Sequence, residues 1–115
     1  MAKSPRIIVT GGAGFIGSNL VRSLNAAGER DILLVDHLGS DAKWRNLVGL
    51  STADYLDKAE FRARFRSEGL AGAQVVYHLG ACSSTSELDA GYLMDNNTRY
   101  TRELCDAALA AGARF

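Results

Sequence analysis

The stretch "TGGAGFIG", residues 10–17, places Gly11, Gly14 and Gly17 in a G-x-x-G-x-x-G pattern directly after an apolar β-branched run. Such a pattern suits an anion. The first glycine makes a tight turn, the second lets a pyrophosphate approach the backbone, and the third lets the following helix pack closely on the strand. Asp36 stands 19 residues after Gly17, at the end of the second apolar run "DILLVD", where a carboxylate can bond an adenosine ribose. An acid there favours NAD, because it would repel a 2′-phosphate. Lys43, seven residues on, points the other way, since a cation in the next loop can neutralise such a phosphate. Both cofactors stay open on these residues alone.

A second stretch, "YHLGACSSTSELDAGYLMDNN", breaks from an apolar run into a loop rich in small residues and hydroxyls. Gly80 and Ala81 are small enough for a cofactor to approach their backbone. Ser83 and Ser84 can donate to a substrate hydroxyl or phosphate, or can cap the helix that follows. Asn96, at the start of that helix, can brace the loop or the cofactor. Cys82 reads as a packed residue, with no nearby cation to make it a nucleophile, and His37 and His78 read as structural. In "ADYLDK", Lys58 falls in the first turn of a helix, an unfavourable place for a cation, which suggests a further role.

The elements that must position these residues alternate. Strands are expected at "RIIVT" and "DILLVD", near "GLSTA", and at "AQVVYHL". The first helix carries Phe15, Ile16, Leu20, Val21 and Leu24 on one face and stops at Gly28. A short helix is expected around Trp44–Leu47. Asp57 and Glu60 form a capping box for a helix to Glu68, with Phe61 and Phe65 inward. A long helix from about Gly91 turns Leu93, Tyr100, Leu104 and Ala108 inward. The expected fold is therefore α/β, a Rossmann-type doubly wound parallel sheet with strand order 3-2-1-4. The loop after the fourth strand, Leu79 to Ser84, then falls at the point where the strand order reverses, over the nicotinamide half of a dinucleotide. The chain ends where a fifth strand is expected, so it reads as truncated after about four β/α units.

Thirteen basic residues balance thirteen acidic ones, so nothing marks a nucleic acid or an anionic membrane as partner. Two cysteines without metal spacing, no apolar leader and no membrane-length apolar run suggest a reduced, cytoplasmic protein without a metal.

The combination of "IIVTGGAGFIGSNLV", "DILLVD", "ADYLDK", "GACSSTSELD" and "YLMDNN" resembles the extended short-chain dehydrogenase/reductases that act on nucleotide sugars, and within them the ADP-L-glycero-D-manno-heptose 6-epimerases of lipopolysaccharide core synthesis. That resemblance implies cofactor contacts at Phe15 and Ile16, at Asp36 and His37 on the ribose, and at Lys43 and Lys58 by the adenine-side phosphates. It adds Leu79, Gly80, Ala81, Cys82 and Ser83 along the dinucleotide, and Asn96. It implies NADP over NAD, ADP-heptose as substrate, and a transient oxidation at heptose C6. His37 stands where the resemblance would have Asn, and Leu79 where it would have Glu. Residues 1–115 are then the N-terminal part of the dinucleotide-binding domain of an enzyme expected to be a homo-oligomer. The Tyr-x-x-x-Lys catalytic pair and the substrate domain are expected beyond Phe115, and the chain alone is expected to be inactive. Another nucleotide-sugar 4-epimerase or dehydratase, or a non-catalytic NAD(P)-binding module, are the alternatives.

Overall fold

A computed structural model describes residues 3–82, 84 and 86–115. Four parallel strands, β1 (Ile7–Thr10), β2 (Ile32–Asp36), β3 (Asp54–Asp57) and β4 (Val75–His78), form one sheet in the order β3-β2-β1-β4. The expected order is the observed one. All residues of β1 and β2 are buried, as continuous apolar runs demand when helices cover both faces.

Side chains alternate between two cores. On one face Ile7, Val9, Ile32 and Leu34 pack with Val21 of α1 (Phe15–Ala26), and Leu20 and Leu24 lie against them. On the other, Ile8, Leu33, Val35, Leu56 and Val76 pack with Phe61 and Phe65 of α2 (Lys58–Glu68) and with Tyr100, Leu104 and Ala108. The last three belong to a long helix built in three parts: α3 (Ala90–Leu93), a π-helical turn (Met94–Arg99) and α4 (Tyr100–Ala110). Arg114 meets the free side of β4 as an isolated parallel bridge.

Four expectations need correction. The third strand is not "GLSTA" but Asp54–Asp57; the bond from Ala53 N to Ile32 O starts the pairing, and the preceding residues only lead into it. Asp54 and Tyr55 open that strand. Phe15 and Ile16 do not face the core: they are 82% and 71% exposed, because the glycine turn aims the start of α1 out of the sheet and Gly17, Ser18 and Val21 make the buried contact. The capping box is half formed. Asp57 accepts from Ala59 N, while Glu60 pairs with Arg64 along the helix. Asp89 caps α3 by accepting from Tyr92 N, so the cap is not a serine among the described residues; Ser83 and Thr85 lie outside them.

Candidate functional site

The site grows from the end of β1. Gly11 takes φ +69°, and a Cβ there would stand 2.6 Å from Leu79 O, so the turn and the loop after β4 touch backbone to backbone. A Cβ on Gly17 would overlap the Gly11 carbonyl, which is why the third glycine is needed. Gly14 differs: its nearest neighbour is Gly11 O at 3.4 Å, leaving its outer side open. Gly14 is also the N-cap of α1 and offers no side-chain cap. The first-turn N–H groups of Phe15 and Ile16 therefore face the crevice with the positive end of the helix dipole behind them.

Asp36 closes β2 beside this turn and is 7% exposed. Its Oδ2 accepts from Ala13 N at 2.8 Å; its Oδ1 accepts from His37 N at 2.6 Å and from Lys43 Nζ at 2.7 Å. The carboxylate thus ties the glycine turn to the next loop and sets an ammonium at one end of the crevice. His37 points to Asp57, Nδ1 to Oδ1 at 3.1 Å; the backbone bond from Ala59 N first, and then His37, hold the Asp57 carboxyl below its ordinary range. Tyr55 donates to Asp36 O; its pKa is raised by burial first, then by Asp57 and Asp36.

Opposite lies the loop after β4. Leu79 N donates to Thr10 O and Gly80 N to Thr10 Oγ1, which fastens the loop to β1. Lys58 Nζ donates to Asn96 Oδ1 at 3.0 Å and lies 5.4 Å from the centre of the Tyr92 ring, which answers why a lysine starts α2. The π-helical turn presents two adjacent asparagines. Asn96 is buried and donates to Asn97 Oδ1, and Asn97 holds Cys82 by both backbone groups, accepting from its N at 2.8 Å and donating to its O at 2.9 Å. Sequence reasoning missed Asn97; the doubled Asn of "MDNN" was the available signal.

Gly11, Gly14, Asp36, His37, Lys43, Lys58 and residues Leu79 to Cys82 come together along one open groove of about 380 Å³, a volume suited to a small organic ligand. A second groove continues it past Phe15, Ile16 and Gly17. Asn96 does not line this groove but an adjoining small cavity that shares Gly11, Asp36, Lys58 and Gly80 with it. Ser84 is exposed, its Oγ 3.0 Å from that of Ser86, and does not line it; Ser83 lies outside the described residues. No group of metal-ligating side chains occurs among the described residues. None of the four tyrosines has a lysine four residues on. No helix of the described residues is long and apolar enough to cross a membrane.

Residues 7–115 match the NAD dependent epimerase/dehydratase family. The chain belongs to that family. Among solved structures of similar fold, the Helicobacter pylori ADP-L-glycero-D-manno-heptose-6-epimerase shares 23% identity with a TM-score of 0.76, over 97% of this chain and 38% of that one. The Thermotoga maritima UDP-glucose 4-epimerase, solved with UDP-glucose, shares 27% identity with a TM-score of 0.70, over 93% and 35%. The Stenotrophomonas maltophila UDP-glucose-4-epimerase, with bound NAD and formylated UDP-arabinopyranose, shares 26% with a TM-score of 0.63, over 94% and 34%. The chain thus spans about a third of the length of these epimerases.

Proposed function

We propose that residues 1–115 are the cofactor-binding N-terminal part of a nucleotide-sugar epimerase, whose Tyr-x-x-x-Lys pair and sugar contacts follow Phe115. The observation that carries this is the groove itself. An uncapped helix start, an open Gly14 and the Asp36–Lys43 pair lie along one crevice. The residues fit a dinucleotide. N–H groups of the first turn of α1 hold the pyrophosphate, and Gly14 leaves room for it. Asp36 and His37 serve the ribose, and Lys43 and Lys58 the phosphates on the adenine side. Leu79 to Cys82 line the rest of the groove, and Ser83 and Asn96 are the further proposed contacts of the dinucleotide. A dinucleotide held there would supply reversible hydride exchange with a secondary alcohol of the sugar, whose hydroxyl proton would leave and come back, and return of the hydride to the opposite face would change only configuration.

NADP is the favoured form, because Lys43 Nζ holds a positive charge 2.7 Å from Asp36 Oδ1, where the acid alone would repel a 2′-phosphate. NAD is the alternative, favoured by the buried Asp36 carboxylate. For the substrate, "GACSST" and "MDNN" support ADP-D-glycero-D-manno-heptose, converted to the L-glycero form at C6 by a cytoplasmic, homo-oligomeric enzyme. Ser83 and Ser84 are the proposed sugar-side hydroxyls. A 4-epimerase is the second reading, supported by the UDP-glucose of the Thermotoga maritima neighbour. Assaying the full-length protein with ADP-heptose and with UDP-glucose tests both. Turnover of ADP-heptose alone supports the first, turnover of UDP-glucose alone the second, and binding of NADP without turnover of any sugar a non-catalytic module.

A further inference from the structure

One hydrogen bond at the edge of the groove joins parts of the chain 33 residues apart: Asn46 Nδ2 donates to Ala13 O at 2.8 Å. Ala13 is fully buried inside the glycine turn. Its N–H is already held by Asp36 Oδ2, so Asn46 takes the other half of the residue. The Ala13 carbonyl shares a peptide plane with Gly14 N–H, which donates to Gly11 O at 3.1 Å. That plane is therefore pinned at both ends, and it is the last one before the first turn of α1. Asn46 lies on the short 3-10 segment Lys43–Leu47, which also carries Lys43 to Asp36 Oδ1. No residue of that segment is buried. Its two polar latches close on opposite ends of the same Ala13–Asp36 hydrogen bond.

We infer that Asn46 is a positioning residue of the dinucleotide site: it sets the plane of the Ala13–Gly14 peptide, and with it the direction of the pyrophosphate-facing N–H groups, and it fixes the register from which Lys43 reaches the ribose end. The inference rests on the dinucleotide-binding reading above. It couples the two ends of the site, so Asn46 contributes to ligands that never touch it. Without Asn46 the buried Ala13 carbonyl has lost its donor, and the peptide plane is free to tilt.

The test titrates ADP, which has a pyrophosphate and no 2′-phosphate, together with NAD and NADP, into the wild-type full-length protein, Asn46→Ala, Lys43→Ala and the double variant. Asn46→Ala is expected to weaken ADP and NAD about tenfold, as loss of one hydrogen bond would, and to weaken ADP more than Lys43→Ala does. For NADP the double variant should lose less than the product of the two single losses, because the tilted segment has already forfeited part of the lysine's contribution. A merely structural role would lower the unfolding midpoint of Asn46→Ala and leave its affinity for ADP as in wild type; that result overturns the inference. So does strict multiplicativity for NADP. If Asn46→Ala fails to fold, Asn46→Asp, which keeps the shape but has no N–H to give, takes its place with the same expectations. A wild-type protein that binds none of the three ligands removes the dinucleotide reading and this inference together, whereas wild-type binding with unaltered variants removes the inference alone.

Discussion

Thr10 Oγ1 stands 2.6 Å from His78 Nδ1, across the β1–β4 pair. Thr10 Oγ1 also accepts from Gly80 N, and on the other side of the ring His78 Nε2 stands 2.8 Å from Thr101 Oγ1. The ring stacks on Tyr100, their centres 5.9 Å apart. A neutral imidazole satisfies both threonines, one ring nitrogen donating and the other accepting.

Stability should therefore depend on pH in the range of His78. Burial lowers the His78 pKa from 6.5, so as pH falls the unfolded chain takes the proton before the folded one does. The contribution is present above about pH 6.5 and is lost below it. Urea midpoints at pH 8, 6.5 and 5.5 check this. His78→Phe should flatten that slope while lowering stability by about 1–3 kcal/mol at pH 8, since Thr10 and Thr101 lose a partner.

A second window lies lower. Arg62 of α2 reaches Asp95 Oδ2 at 2.9 Å and Glu103 Oε2 at 2.6 Å, and Arg66 also pairs with Glu103. Both carboxyl groups are held below their ordinary values, chiefly by hydrogen bonds from Arg62. Their contribution is present above the usual carboxylate range and is lost as pH falls through it. Arg62→Met should reduce this acid-side slope, with Arg66 still holding Glu103, and leave the one near pH 6.5, read from the same urea series carried down to pH 3.

Gly17→Ala should destabilise more than an ordinary helix substitution would. The new Cβ would meet the Gly11 carbonyl carbon at 2.8 Å, a backbone atom that cannot rotate away. A cost of about 1–3 kcal/mol or more is expected, measured by the unfolding midpoint. A neutral effect would mean that the turn is looser than described.

Lys43→Ala should weaken NADP more than NAD, because it removes the cation that offsets the Asp36 carboxylate. Paired titrations check it, and equal losses for both would mean that Lys43 does not serve the 2′-phosphate.

The fold was legible because its information is local. "IIVT" and "ILLVD" are runs that only a sheet covered on both faces tolerates, and the glycines between β1 and α1 fix the crossover. β3 was misplaced because "DYLD" buries only Leu56 and carries no apolar run to recognise. Phe15 and Ile16 were turned inward because helical periodicity counts every apolar residue, while the first turn of α1 projects past the sheet. The groove's glycines and Asp36 could be read from spacing. Its braces could not: Asn97 holds a residue 15 positions away and Asn46 one 33 away, and no local pattern encodes either partner.

The central claim is that this groove holds a dinucleotide through the turn at Gly14. The most direct measurement is a titration of NADP and NAD into wild type and Gly14→Val, with helix content followed by circular dichroism. Because a Cβ at Gly14 meets nothing closer than 3.4 Å, the variant should fold with unchanged helix content, while its side chain fills the space the pyrophosphate needs and abolishes binding. A folded Gly14→Val that binds either dinucleotide as tightly as wild type would contradict the account.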